Sequence, residues 1–333
     1  MDVISPSVVD QRRSGTAAAT VSILMCTNAL FLQHTAVCLA SLLANNPDSF
    51  FDVVIVRRPT EELNEEKLRG SLAGFSNHRL TIRKFTPPAD LLLPLEPHAH
   101  YTIDTYTRLW LGEFFPEQVA RVLYLDADIV VVGSIAQLWN TDLDGALMGA
   151  VDIPGSDQGV RRLGMRLEDG YFNAGVLLID LPQWRATRGE ITVLDYIRAN
   201  PERVSYDQDA LNACFRSRTK RLDYKWNVIR PFYREPLVLP LGRTEIETIR
   251  RDARIIHFNG GTKPWSYFSD HPRKAEYERY LRMTEWRNYV PPDRTPINMV
   301  RKGISAMTPA PVKRVLKMMI ARIVPHHRSA DAA

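Results

Sequence analysis

From residue 21 to residue 125, short apolar, β-prone runs alternate with segments of helical spacing, and this alternation constrains the fold more than any other feature. Residues 21–25 (VSILM) read as a first strand, broken by Thr27-Asn28. Residues 31–44 have helical spacing and stop before Asn45-Asn46-Pro47, a turn signal. The spacing then predicts a strand over 51–56, a charged helix over 60–71 and a strand over 80–85. A helix over 106–115 ended by Pro116 and a strong strand over 122–125 follow. Such alternation implies an α/β fold with a mostly parallel sheet and helices on both faces. Ligands of these sheets sit at the carboxyl ends of the strands, so the loops at Thr27-Asn28 and Asp126 are the ones expected to carry function.

A chain of 333 residues suggests about two domains, or one large α/β domain, and can bury a core without a disulfide or metal staple. The three cysteines, Cys26, Cys38 and Cys214, form no Cys-x-x-Cys pair and read as reduced thiols. No apolar run approaches the roughly 18 residues that span a bilayer. Residues 1–20 are rich in Ser, Ala, Thr and Val, without a framed export signal, and are expected to be flexible in a cytoplasmic protein. The texture becomes Pro-rich and basic beyond Trp286, which divides the chain into a globular domain over 21–286 and a tail over 287–333. Net charge is +5, yet seven basic side chains and no acidic one lie between Arg301 and Arg328, leaving the rest slightly acidic. Thr295-Pro296 and Thr308-Pro309 each look like an N-cap followed by Pro at the first helical position. In the second segment Val312, Val315, Leu316, Met319, Ile320 and Ile323 share one face and the basic residues the other. That is the pattern of a helix lying on an anionic membrane surface, although a helix packed on the body would show the same apolar stripe.

Four clusters carry chemistry. Asp126-Ala127-Asp128 follows the apolar strand, and in an extended backbone residues i and i+2 point the same way, so both carboxylates can meet one cation. Two other Asp-x-Asp patterns exist, at 142/144 and 207/209; the former has ordinary turn composition. Residues 255–265 (IIHFNGGTKPW) deliver His257 from a β-prone run to a loop with two glycines and Lys263, suited to a metal and a diphosphate. The same His reads equally as a hydrogen-bonded core histidine. Asn173 stands just before a buried strand, and Asp207-Gln208-Asp209 opens a helix, where acids are also favourable as plain caps.

In that order these motifs resemble the family 8 retaining glycosyltransferases, nearer to the bacterial lipopolysaccharide galactosyl- and glucosyltransferases than to glycogenin. The resemblance covers about 21–265 and implies a GT-A fold, a UDP-sugar donor, a saccharide or glycolipid acceptor and Mn2+, with Mg2+ as the alternative ion. It implies metal ligation by Asp126, Asp128 and His257, and diphosphate contacts from Gly260 and Lys263. Asn28 and Phe31 fall where the family holds uracil, though the nearest relatives carry Asp and Tyr there. Arg108, Asn173, Asp207 and Gln208 fall around the donor sugar, Asp152 near the donor–acceptor junction, and His100 beside the acceptor. A neutral Gln208 is a poor nucleophile, which favours front-face attack by the acceptor hydroxyl, with Asp207 or Asp152 as the alternative covalent nucleophile. A sugar-1-phosphate nucleotidyltransferase would carry a Gly-rich loop after the first strand, and residues 21–31 contain no Gly. A nucleic-acid-binding protein would interleave basic and aromatic residues, whereas the tail mixes Lys and Arg with aliphatics, so no nucleic-acid partner is expected.

Overall fold

The computed structural model describes residues 20–60, 62–88 and 103–307. His100 and the expected helix beyond Thr308 lie outside them, as do residues 1–19. The strands are β1 (Thr20–Cys26), β2 (Phe50–Arg57), β3 (His78–Lys84), β4 (Arg121–Leu125), β5 (Ile129–Val131), β6 (Met148–Asp152), β7 (Phe172–Asp180), β8 (Thr219–Arg221), β9 (Val228–Ile229) and β10 (Ile255–His257). Seven of them form one sheet in the order β3-β2-β1-β4-β7-β6-β8, and β5-β10-β9 form a second. In the large sheet β1 pairs in parallel with both β2 and β4, β2 with β3, and β6 with β8. Only β7 runs against its neighbours β4 and β6. The sheet is thus mostly parallel, with one reversed strand in its interior.

Alternating side chains of β1 enter different cores. Val21, Ile23 and Met25 pack with the helix Leu32–Ala44, while Leu24 packs with Leu109, Trp184 and Phe215 on the opposite face. Helices therefore cover both faces, as the period-2 alternation requires. A third core joins the small sheet to the helices Arg243–Asp252 and Lys274–Leu281. The segment expected to be an α-helix over 106–115 is a 3-10 helix, Ile103–Glu113, interrupted at Trp110 (φ −84°, ψ 20°). From Tyr106 to Leu111 every side chain is buried, so packing on all sides, not an amphipathic period, sets its winding. Strand order reverses between β1 and β4, which puts the crevice at the carboxyl ends of those two strands.

Packing continues past Trp286. Tyr289 joins the third core, and the Asp293 carboxylate accepts from the backbone N–H groups of Tyr267 and Phe268. The helix Pro296–Met307 is tied down where Lys302 Nζ donates to Tyr267 O (2.6 Å). Among the described residues no helix is long and apolar enough to cross a membrane.

Candidate active site

The carboxyl end of β4 runs directly into Asp126-Ala127-Asp128, which connects the large sheet to β5 of the small one. β10 returns antiparallel to β5 with His257 opposite Ile129, and Phe258 N–H donates to Asp128 O (2.9 Å). His257 is thereby carried back beside the two aspartates. Its Nε2 lies 3.2 Å from Asp128 Oδ1 and 3.7 Å from Asp126 Oδ2. Among the described residues these three form the group able to hold a metal ion, with their ligand atoms within 4.8 Å of one another. The carboxylates converge from a turn, not from the extended backbone the spacing suggested.

The donor set, two carboxylates and an imidazole, suits a divalent cation, and it packs so closely on β7 that only a glycine fits behind it. On β7, Gly175 O accepts from Asp126 N–H (2.9 Å). A Cβ at Gly175 would stand 2.3 Å from His257 Cε1 and 2.8 Å from Asp126 Oδ2. Burial pushes the Asp128 carboxyl up, but Lys263 and His257 outweigh it and hold it well below the usual carboxylate range. Lys263 Nζ reaches Asp128 Oδ2 at 2.5 Å and also donates to Phe258 O (3.1 Å). Gly260 in the same loop has φ +85°, the left-handed region that favours glycine.

Arg108 bridges two acids. Its Nε is 2.8 Å from Asp207 Oδ2, and its Nη1 is 3.3 Å from Asp126 Oδ1 and donates to Ala174 O (2.8 Å). Tyr124 OH also donates to Asp126 Oδ1 (2.7 Å), a contact no sequence motif announced. Asp207 is fully buried, and desolvation lifts its carboxyl to about 6 even though Arg108 pulls the other way. Gln208 accepts at Oε1 from Ala174 N–H (2.9 Å) and from Asn173 Nδ2 (3.2 Å), and donates from Nε2 to Tyr171 OH (3.1 Å). Asp209 takes a two-pronged ion pair from Arg162 (2.8 and 2.9 Å) as well as Ser205 N–H, so it anchors the helix start.

Asn28 and Phe31 lie just beyond β1, with Asn28 Oδ1 accepting from Phe31 N–H (3.1 Å). The Phe31 ring meets Trp265 edge-on at 5.9 Å, which brings the loop after β1 to the loop after β10. Asp152 stands at the end of β6, two strands from β4, where Arg216 (2.9 Å) and Arg221 (3.1 Å) take up its carboxylate. Burial lifts that carboxyl above its ordinary range despite both arginines. Asn227 is a site residue the sequence reading missed: it is wholly buried between His257 and Asn173. It sits in a short irregular segment, without a motif to mark it.

Comparisons with known proteins bear on the family and the fold. The family model described as glycosyl transferase family 8 matches residues 22–269. General stress protein A of Bacillus subtilis (strain 168) is 31% identical over 195 residues, which cover 56% of this chain and 68% of that protein. Lipopolysaccharide 1,2-glucosyltransferase of Escherichia coli (strain K12) is 28% identical over 270 residues, 80% of this chain and 79% of that one. Among solved structures, the galactosyltransferase LgtC in complex with donor and acceptor sugar analogues shares the fold, with TM-score 0.68 and 24% identity over 82% of this chain and 98% of that one. Both rival readings of the sequence give way to the transferase: with its ordered motifs, its sheet and its Asp-Asp-His cluster, the chain belongs to glycosyl transferase family 8.

Proposed function

We propose that the chain is a retaining hexosyltransferase that moves galactose or glucose from a UDP-sugar to a saccharide acceptor of lipopolysaccharide or another cell-surface glycan. Asp126, Asp128 and His257 would hold Mn2+, with Mg2+ as the alternative ion. The convergence of these three side chains at the carboxyl end of β4, where only a glycine at 175 leaves room for the His257 ring, is the observation that carries the reading. A divalent cation bound there supplies Lewis-acid and electrostatic stabilisation to a departing diphosphate.

The chain's own residues account for the rest. Lys263 adds a positive charge beside Asp128, and the Gly260-Gly261 backbone leaves room for a diphosphate to approach. Asn28, Phe31 and Trp265 frame the base. Both lone pairs of the Gln208 amide oxygen are engaged by Ala174 and Asn173, which fixes the amide and leaves it unsuited to nucleophilic attack. Asp207 is enclosed behind Arg108, and Asp152 is neutralised by two arginines. These placements favour front-face attack. The acceptor oxygen bonds to the anomeric carbon as the carbon–phosphate-oxygen bond breaks, and the departing phosphate takes the hydroxyl proton. Helix Pro296–Met307 and the basic tail would place the enzyme on the inner face of the cytoplasmic membrane.

A panel of UDP-sugars incubated with purified full-length protein tests the reading. One donor should release UDP slowly with Mn2+, and Asp128→Asn should cut that turnover by roughly 10²-fold. Pyrophosphate in place of UDP, or turnover unaffected by thorough chelation, would overturn it.

A further inference from the structure

The hydrogen bonds behind the Asp126–Asp128–His257 cluster acquire a direction from backbone groups alone, because a backbone N–H only donates. Gly175 N–H donates to one amide atom of Asn173 (3.0 Å), so that atom is the oxygen, Oδ1. Asn227 approaches the same oxygen at 2.8 Å and so presents its NH2 group there. The remaining amide atom of Asn227, its oxygen, faces His257 Nδ1 at 3.0 Å. Nδ1 therefore carries a proton. A second anchor gives the same sense at the far end. Ala174 N–H fixes Gln208 Oε1 as an acceptor (2.9 Å), which turns Gln208 Nε2 to Tyr171 OH (3.1 Å) and leaves that hydroxyl to donate to Asp209 (2.7 Å).

We infer that Asn227 is a positioning residue that holds His257 as the Nδ1–H tautomer. The Nε2 lone pair then faces the cation site together with the oxygens of Asp128 (3.2 Å) and Asp126 (3.7 Å). Without the Asn227 oxygen the proton would move to Nε2, where the Asp128 carboxylate is a close and charged acceptor. The nitrogen would then present a donor, not a ligand, to the cation. Asn227 also donates to Asn173, so one buried amide orients both a metal ligand and a residue expected beside the donor sugar. The inference rests on the cation-site reading proposed above.

Mn2+ alone, added to chelator-stripped full-length protein and followed by the relaxation of water protons, gives the dissociation constant for wild type, Asn227→Leu and Asn227→Asp. Thermal midpoints without metal are recorded beside it. The leucine, similar in volume but without an acceptor, should weaken Mn2+ binding about 10- to 100-fold. The aspartate still accepts from Nδ1–H and should bind within about threefold of wild type. A purely structural role predicts the contrary pattern, in which both variants lose midpoint and neither changes affinity. Leucine-variant affinity within threefold of wild type, or an aspartate variant weakened tenfold, overturns the inference. If Asn227→Leu does not fold, Asn227→Ala, which also lacks the acceptor, takes its place under the same threefold criterion. Wild type that retains no Mn2+ sinks the cation site and this inference together, whereas retention with unaffected variants sinks this one alone.

Discussion

At Gly175 one hydrogen atom stands where any other residue would place a methyl group against the His257 ring. Overpacking of this kind in a close-packed site costs about 1–3 kcal/mol or moves the neighbour. Here the neighbour is a proposed ligand at the end of a short strand. Gly175→Ala should therefore displace the imidazole, lower Mn2+-dependent turnover by roughly 10²-fold and abolish the thermal shift produced by UDP plus Mn2+. Turnover and shift both near wild type would mean that the ring does not lie where the geometry puts it. The chemical identity of the cluster was legible in the sequence, since Asp126, Asp128, His257 and Lys263 all lie in compact motifs. The need for Gly175 was not, although it stood in plain view in the run around Asn173. It arises only because β7 lies beside β4 and brings that backbone against His257. Asn227 was hidden for a related reason: an isolated amide has no pattern, and its role depends on strands β7 and β10 meeting behind it.

The helix Leu32–Ala44 was readable as a helix, but its spacing does not reveal how deeply it is enclosed. In its first turn the His34 ring stacks on Trp265 with centroids 3.4 Å apart, and Nδ1 lies 2.7 Å from Tyr277 OH. Burial pushes the imidazole down to about 3, with Asp128 opposing and Lys263 reinforcing the shift. In the unfolded chain the same group titrates near its ordinary 6.5. The folded state thus binds fewer protons, so this contribution is intact above pH 6.5 and is lost as pH falls toward 3. At about 1.4 kcal/mol per pH unit, one such group should remove about 2 kcal/mol by pH 5. Asp207 acts in the opposite sense as pH falls through about 6, so His34 must be read by difference. Urea unfolding at pH 8 and pH 5 should show wild type losing about 2 kcal/mol more than His34→Gln. Equal losses would show that His34 is not held neutral. Strand direction was the least legible property at this scale. The apolar run of β7 reads the same whether it runs with or against β4, and the reversal comes from the connection through β6.

Over the whole sequence the net positive charge comes from the C-terminal residues 301–328, and the last described helix, which leads into them, carries exposed apolar side chains. On Pro296–Met307 the side chains of Ile297, Val300 and Ile304 recur at helical spacing and are 71%, 62% and 61% exposed. Lys302 nevertheless fixes this helix to the body, with Nζ 4.3 Å from the centre of the Tyr267 ring, so the stripe is presented at a set place. An apolar stripe flanked by Arg301 and followed by five further basic residues to Arg328 suits the interface of an anionic bilayer. Each basic side chain near such a surface contributes about 1 kcal/mol, and that part is screened by salt. Full-length protein should pellet with phosphatidylglycerol-rich vesicles at low salt and be released as salt rises. Truncation after Met307 should lose most of that binding while UDP-sugar hydrolysis continues, because Asp293 and Lys302 remain to hold the loop at Tyr267 and Phe268. A cut after Tyr289 would remove both anchors and confuse the two effects. Replacing Ile297, Val300 and Ile304 by Ser should weaken the residual binding of the truncated chain further, again without loss of hydrolysis. Full-length protein that ignores these vesicles at low salt would make the stripe and the basic tail a matter of packing, not of membrane attachment.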